Sequence, residues 1–329
     1  MNEAIKSKLE LFVSNTESSK KRFTWQYVML KRLAALLYAV ENKVIDIQRI
    51  QECMDLIKKS TGVLSTFRGN SLMILATLLS LVENKEERLT DTLKVYDMLK
   101  AEKFRSSDFL VIAAYQIVSN TDPIYYSQAI KRSKAFYDGL KAQHRFITGH
   151  DDYIFSVMLG LSNIDIKTGL TQMEQIYQSL KPKFYSRNGV QALSQVLVLG
   201  GNASGSESRI LELSNTFREK KLRLDRDYTL SSLGVLALLP VGVDTLVNNV
   251  IDVYEYLRTK KGFGSWSITK QELLLLSCSL VAYEYIDQAN DGIITTAIST
   301  SITNIIIAQQ AAMIAAISAS TAAAASASN

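Results

Sequence analysis

A short motif returns along this chain at a nearly constant interval, and that interval limits the possible folds more than any other feature. Val95-Tyr96-Asp97-Met98-Leu99-Lys100 is followed by Phe136-Tyr137-Asp138-Gly139-Leu140-Lys141 and by Ile176-Tyr177-Gln178-Ser179-Leu180-Lys181. A degenerate copy, Thr216-Phe217-Arg218-Glu219-Lys220-Lys221, precedes a good one at Val253-Tyr254-Glu255-Tyr256-Leu257-Arg258. Tyr96, Tyr137, Tyr177, Phe217 and Tyr254 are therefore 41, 40, 40 and 37 residues apart. An earlier unit centres on Met54-Asp55-Leu56-Ile57-Lys58. A period of this size marks tandem supersecondary units, each too small to bury its own apolar surface.

Each unit has two parts. The first has the 3.6-residue period of an amphipathic helix: Leu170, Met173, Tyr177 and Leu180 share a face, as do Leu246, Val250, Tyr254 and Leu257. A basic link and a polar turn lead to the second part, which is apolar almost all round, as in Leu72–Leu81, Phe109–Val118 and Leu273–Ala282. A helix of that kind is shielded by neighbours on several sides. Proline is confined to Pro123, Pro182 and Pro240, all at expected helix boundaries. Ser204 with Glu207, and Thr269 with Glu272, have capping-box spacing. The expected fold is all-α: tandem helical hairpins of about 40 residues stacked into an α-solenoid or curled α-α array. A closed helical toroid is the main rival to that array, and the pattern does not separate the two. The expected organisation is an N-terminal helical cap over 1–44, about six hairpins over 45–288, and an uncharged Ala/Ser/Ile-rich helix and frayed tail over 289–329.

The Tyr-x-x-Leu-Lys helix ends, Thr148-Gly149-His150-Asp151-Asp152-Tyr153, the Gly200-Gly201 turn and Ala308-Gln309-Gln310-Ala311-Ala312-Met313 together resemble a bacterial family, domain of unknown function 4003. The resemblance spans nearly the whole chain. It implies a helical protein and, because that family has no assigned activity, transfers no site residues.

His150, Asp151 and Asp152 form the most site-like cluster. A histidine beside two carboxylates suits a divalent metal or acid–base chemistry. The same position in other units holds Ser106-Ser107-Asp108, Ser186-Arg187-Asn188 and Asp225-Arg226-Asp227, which read as helix N-caps. Capping is therefore preferred over catalysis, and His144 is the only other histidine, so no metal site is expected. Gly200–Gly205 lacks the lysine and spacing of a phosphate loop. Cys53 and Cys278 lie far apart inside helical patterns and read as packing residues of a reducing compartment. No cofactor is expected.

Lys100, Arg105, Lys141, Arg145, Lys181, Lys183, Lys221 and Arg258 recur at the ends of the amphipathic helices, so stacking in register lines them along one rim. That rim suits an anion, although cations also offset helix dipoles at such ends. From Gly292 onward the chain has no charged residue, but polar side chains such as Thr295, Thr296, Ser299, Thr300, Thr303, Asn304, Gln309 and Gln310 make 293–317 a poor membrane span. Capping or self-association is preferred there over membrane contact through 293–317. The expectation is a cytoplasmic, non-enzymatic interaction or scaffold protein with a protein partner. The alternatives are an enzyme built on His150–Asp152 and nucleic-acid or anion binding along the basic rim.

Overall fold

The computed structural model describes residues 3–23, 26–201, 206–225, 227–289 and 306–307. Among them there are α-helices, two short 3₁₀ turns and no strands. The α-helices are α1 (Glu3–Arg22), α2 (Val28–Val40), α3 (Ile47–Ser60), α4 (Ser71–Ser80), α5 (Lys85–Ala101), α6 (Asp108–Asn120) and α7 (Tyr126–Gln143). They continue with α8 (Asp152–Leu161), α9 (Ile166–Leu180), α10 (Arg187–Leu199), α11 (Ser206–Glu219), α12 (Asp227–Leu238), α13 (Val243–Arg258) and α14 (Lys270–Ala289).

Each odd-numbered helix packs on the even-numbered helix that follows it. The even helices also pack in sequence, α2 on α4 through to α12 on α14, and α14 returns to pack on both α2 and α1. The array therefore closes into a ring with even helices inside and odd helices outside. Residues 1–44 supply α1 and α2, a hairpin of the same kind as the others.

Burial follows this arrangement. All ten residues of α4 are buried, and so are all of α8 except Leu161. The outer helices bury one stripe each: Met173, Ile176, Tyr177 and Leu180 on α9, and Leu246, Val250, Tyr254 and Leu257 among those of α13. The recurring aromatics are all buried in the outer layer, Phe217 completely. At the closest approach inside a hairpin, a side chain at Gly160 would meet the Ser133 backbone nitrogen at 2.6 Å.

Arginines tie four of the hairpins shut at the end where the inner helix stops. Arg49 donates to the Val82 carbonyl at 2.7 Å and Arg88 to Val118 at 2.6 Å. Arg132 donates to the carbonyls of Gly160, Ser162 and Ile164, and Arg209 to those of Ala237, Leu239 and Val241. The last carbonyls of a helix have no partner within it, so a guanidinium fork laid across them removes several buried acceptors at once.

Ring closure rests on a separate set of contacts. Arg32 on α2 is almost fully buried and pairs with Glu272 on α14, while its other nitrogen donates to Gly262 O at 2.9 Å and Ser267 O at 2.8 Å. Its guanidinium lies over the Phe263 ring, which packs against Phe12 of α1 at 5.6 Å. Lys8 on α1 pairs with Glu284 on α14 at 3.7 Å, both buried. Gly262 takes a φ of +86°, and a side chain there would strike the Lys20 amine. The Thr269 hydroxyl accepts from the Glu272 backbone N–H, as a cap should. The Glu272 carboxylate also takes a backbone hydrogen bond from Thr269, so the capping box is complete even though Arg32 pairs with the same side chain. Ser204 of the other expected box lies outside the described residues. So does most of the uncharged tail, of which Ile306 and Ile307 are described and are buried in the core.

A buried charge that loses its partner is far costlier than a buried apolar pair. Arg32→Ala is therefore expected to lower stability by about 3–5 kcal/mol by urea unfolding. Adding Glu272→Leu to it recovers part of that loss. A change under about 0.5 kcal/mol for Arg32→Ala, the range of ordinary surface substitutions, would show that the seam does not depend on this pair.

Candidate functional site

The ring has two unlike ends. At one, the hairpin tips join each outer helix to its inner partner; at the other, the connections run on to the next hairpin. Among the described residues, the tip connections carry eleven lysines and arginines against Glu102, Asp151 and Asp225. The opposite connections carry Lys43 against Glu41, Asp46, Glu83, Asp122 and Asp165. All the site residues expected from sequence fall at the tip end or in the turns beside it.

The three members of the His150–Asp152 cluster do not converge. His150 lies at the surface with its ring 5.2 Å from that of Tyr153, and partial desolvation, with the nearby Arg105 charge, holds it below the usual histidine range. Asp151 accepts from the Asn188 amide at 2.9 Å, across to α10. Asp152 turns into the core. It accepts from Gly149 N–H at 2.9 Å, Gln191 Nε2 at 2.8 Å and Gln195 Nε2 at 3.0 Å. Neither aspartate caps α8 in the expected way, since the Asp151 side chain makes no cap bond and Asp152 bonds back to Gly149 before the helix. Ser107 and Ser186 do cap, accepting from Leu110 and Gly189 N–H. Asp227 begins α12, and Arg226 lies outside the described residues.

Burial raises Asp152 from 3.8 to about 7, helped by the charge of Asp151 and opposed by its three hydrogen bonds. A protonated carboxyl needs an acceptor, and the buried Gln195 Oε1 has no hydrogen-bond partner among the described residues. The Gln191–Gln195 pair, one turn apart on α10, thus serves either protonation state by amide rotation. Sequence reading missed both glutamines; two amides spaced i, i+4 on an otherwise apolar helix were the available signal. His144 is bound elsewhere, its Nε2 2.6 Å from Glu174 Oε2 and its ring against Tyr177, beside a pocket of about 370 Å³ lined in part by Lys181 and Arg187. Among the described residues no cluster of His, Cys, Asp or Glu could hold a metal. Cys53 and Cys278 are free and buried, and desolvation pushes both thiols up, Cys53 to about 11, so neither is a ready nucleophile.

The expected basic rim separates into two groups. Lys100, Lys141, Lys181 and Arg258 each lie over the tyrosine four residues earlier, at 5.7, 5.3, 5.8 and 5.1 Å. That is the physical meaning of the repeated motif: the tyrosine ring wedges into the hairpin and the cation covers its outer edge. Arg258 is held further in, donating to the Tyr254 hydroxyl and to the Phe263 and Ile268 carbonyls. Arg105, Arg145, Lys183 and Lys221 are exposed, as are Lys103 and Lys220. None of these six has a carboxylate partner among the described residues. The carboxylates nearby are engaged, Asp151 by Asn188 and Asp225 by Arg218 at 3.5 Å. Lys103 and Lys221 hold φ of 69° and 59°, a conformation glycine takes more easily.

A family model described as "Protein of unknown function (DUF4003)" matches residues 15–311, and the chain belongs to that family. It is similar to "Uncharacterized protein YeaA" of Bacillus subtilis (strain 168), 23% identical over 326 residues, covering 96% of this chain and 95% of that one. No solved structure matches.

The native pKa of Asp152 lies above its unfolded value, so the folded state binds more protons between about pH 4 and 7. Its contribution to stability is complete below about pH 4 and lost as pH rises through about 7. Asp152→Asn, which mimics the protonated form, is expected to flatten that slope and to be more stable than the parent at pH 8, by on the order of 2–4 kcal/mol. Parallel melting curves from pH 4 to 8 would contradict this assignment.

Proposed function

We propose that this is a non-enzymatic interaction protein that presents the hairpin-tip end of its ring to an anionic partner. One observation carries the reading: positive charge is concentrated at one end of the ring, while carboxylates prevail at the other. A helix-dipole role accounts for the cations laid over tyrosines. It does not account for Lys103, Arg105, Arg145, Lys183 and Lys220, which reach solvent from the turns or lie just past the helix ends. Keeping lysine rather than glycine at the two left-handed positions is also unfavourable for the backbone, by roughly 1 kcal/mol each. The rim suits a surface dense in negative charge, a chemistry that acidic proteins, nucleic-acid backbones and lipid headgroups share. Acid–base catalysis is not adopted, because Asp152 is buried away from His150 and Asp151. Among the described residues no helix is long and apolar enough to cross a membrane. Cytoplasmic residence belongs to this proposal, in keeping with two free, buried thiols.

Retention on immobilised heparin tests the reading. Lys103→Gly with Lys221→Gly is expected to lower the salt needed for elution while leaving stability unchanged or raised by up to about 1 kcal/mol per site. Lys43→Glu at the opposite end is expected to leave elution unchanged. Equal elution of all three proteins would sink the proposal.

A further inference from the structure

The tips that carry the positive charge also carry the most exposed apolar side chains of the described structure. Leu64 is 101% exposed, Phe146 97%, Tyr185 100% and Trp266 104%, and they stand on four different hairpin tips. Val63 beside Leu64, and Tyr27 on the first hairpin, extend the set. The two tips without such a residue are the ones with Lys103 and Arg105, and with Lys220, Lys221 and Arg223. Every tip therefore offers either an apolar side chain or a group of cations. Val44, Ile124 and Tyr125 are exposed at the opposite end, but there the turns hold carboxylates. These tip residues do not arise from poor packing. In three of these four tips a neighbour in the same turn already fills the core, Phe67, Phe184 and Phe263 being buried a few residues from Leu64, Tyr185 and Trp266, and Ile147 beside Phe146 is partly buried.

We infer that the hairpin-tip end docks face-on to an anionic lipid bilayer, with Leu64, Phe146, Tyr185 and Trp266 set among the headgroups and the surrounding lysines and arginines against the phosphates. This rests on the cationic-rim reading above. Closure of the array puts the hairpin tips at one end of the ring, where a flat surface can meet several of them. Tryptophan and tyrosine favour the bilayer interface because one part of the ring system is apolar and another forms hydrogen bonds. Lysine and arginine near an anionic leaflet each strengthen partitioning about fivefold. A single-stranded nucleic acid fits less well. It needs aromatic platforms along a groove on which bases stack, and the aliphatic Val63 and Leu64 offer none. A bilayer accepts aliphatic and aromatic tips alike. This contact differs from one through 293–317, because it uses the described hairpin tips alone.

Flotation of the full chain with phosphatidylcholine vesicles, with and without phosphatidylglycerol, tests the inference, with heparin retention measured beside it. Binding is expected only to the anionic vesicles, with a blue shift of tryptophan emission that shrinks in Trp266→Ser, Trp25 being the other tryptophan. Leu64→Ser, Phe146→Ser and Trp266→Ser combined change only exposed side chains. Together they are expected to weaken vesicle binding on the order of tenfold or more while leaving heparin elution and melting temperature unchanged. Heparin retention without vesicle binding would overturn the bilayer assignment and leave the cationic rim standing. Vesicle binding indifferent to the triple variant would overturn insertion of the tips. Loss of both readouts in the parent protein would overturn this inference and the reading beneath it.

Discussion

Everything distinctive in this architecture depends on one buried contact, the seam at which the last inner helix returns to the first. Stacked hairpins bury their faces against neighbours, and an open stack leaves two terminal faces for water or a capping helix to cover. Here α14 lies against α1 and α2, so the first and last hairpins cover one another. The join is made by ions as well as by packing. Arg32 reaches Glu272 and two carbonyls of the Gly262–Ser267 turn, and its face rests on Phe263. Such a cluster contributes little net stability over an apolar substitute, but it tolerates few alternative geometries. Its two halves belong to the first and last hairpins, so it forms only where the ring closes.

Closure also changes what the hairpin tips can do. In a spiral they would climb along the array, and cations at successive tips would face different directions. In a ring they share one end. The repeat then has two unlike ends, each with its own arginine or lysine chemistry. At the inner-helix C-termini, Arg49, Arg88, Arg132 and Arg209 are spent on carbonyls within their own hairpins. At the tips, lysines either cover tyrosine rings or reach solvent. The surface proposed for an anionic partner consists of the cations left after these internal demands are met.

Much of this was legible in the sequence, and the reasons are local. The spacing of Tyr96, Tyr137, Tyr177, Phe217 and Tyr254 exposed the hairpin period because each aromatic meets the same packing requirement in its own unit. The contrast between striped and uniformly apolar helices separated the outer layer from the inner one. Ring closure was not legible, since Arg32 and Glu272 are 240 residues apart and each looks like an ordinary helix residue alone. The fate of His150-Asp151-Asp152 was hidden for a similar reason. Adjacent residues at a helix start point in different directions, and the partners that decide their roles, Asn188, Gln191 and Gln195, belong to the next hairpin. The basic rim was read as a set, yet only a tertiary structure shows that Arg258 is drawn inward while Lys183 stays exposed.

Small-angle X-ray scattering from the monomeric protein tests the central claim, closure of the ring, most directly. A compact chain of 329 residues has a radius of gyration of about 20 Å. The closed ring predicts a value near that figure and a single, nearly symmetric peak of interatomic distances. A clearly larger radius, with a distance distribution drawn out along one axis, would mean that the hairpins form an open spiral and that the Arg32–Glu272 seam does not exist in solution.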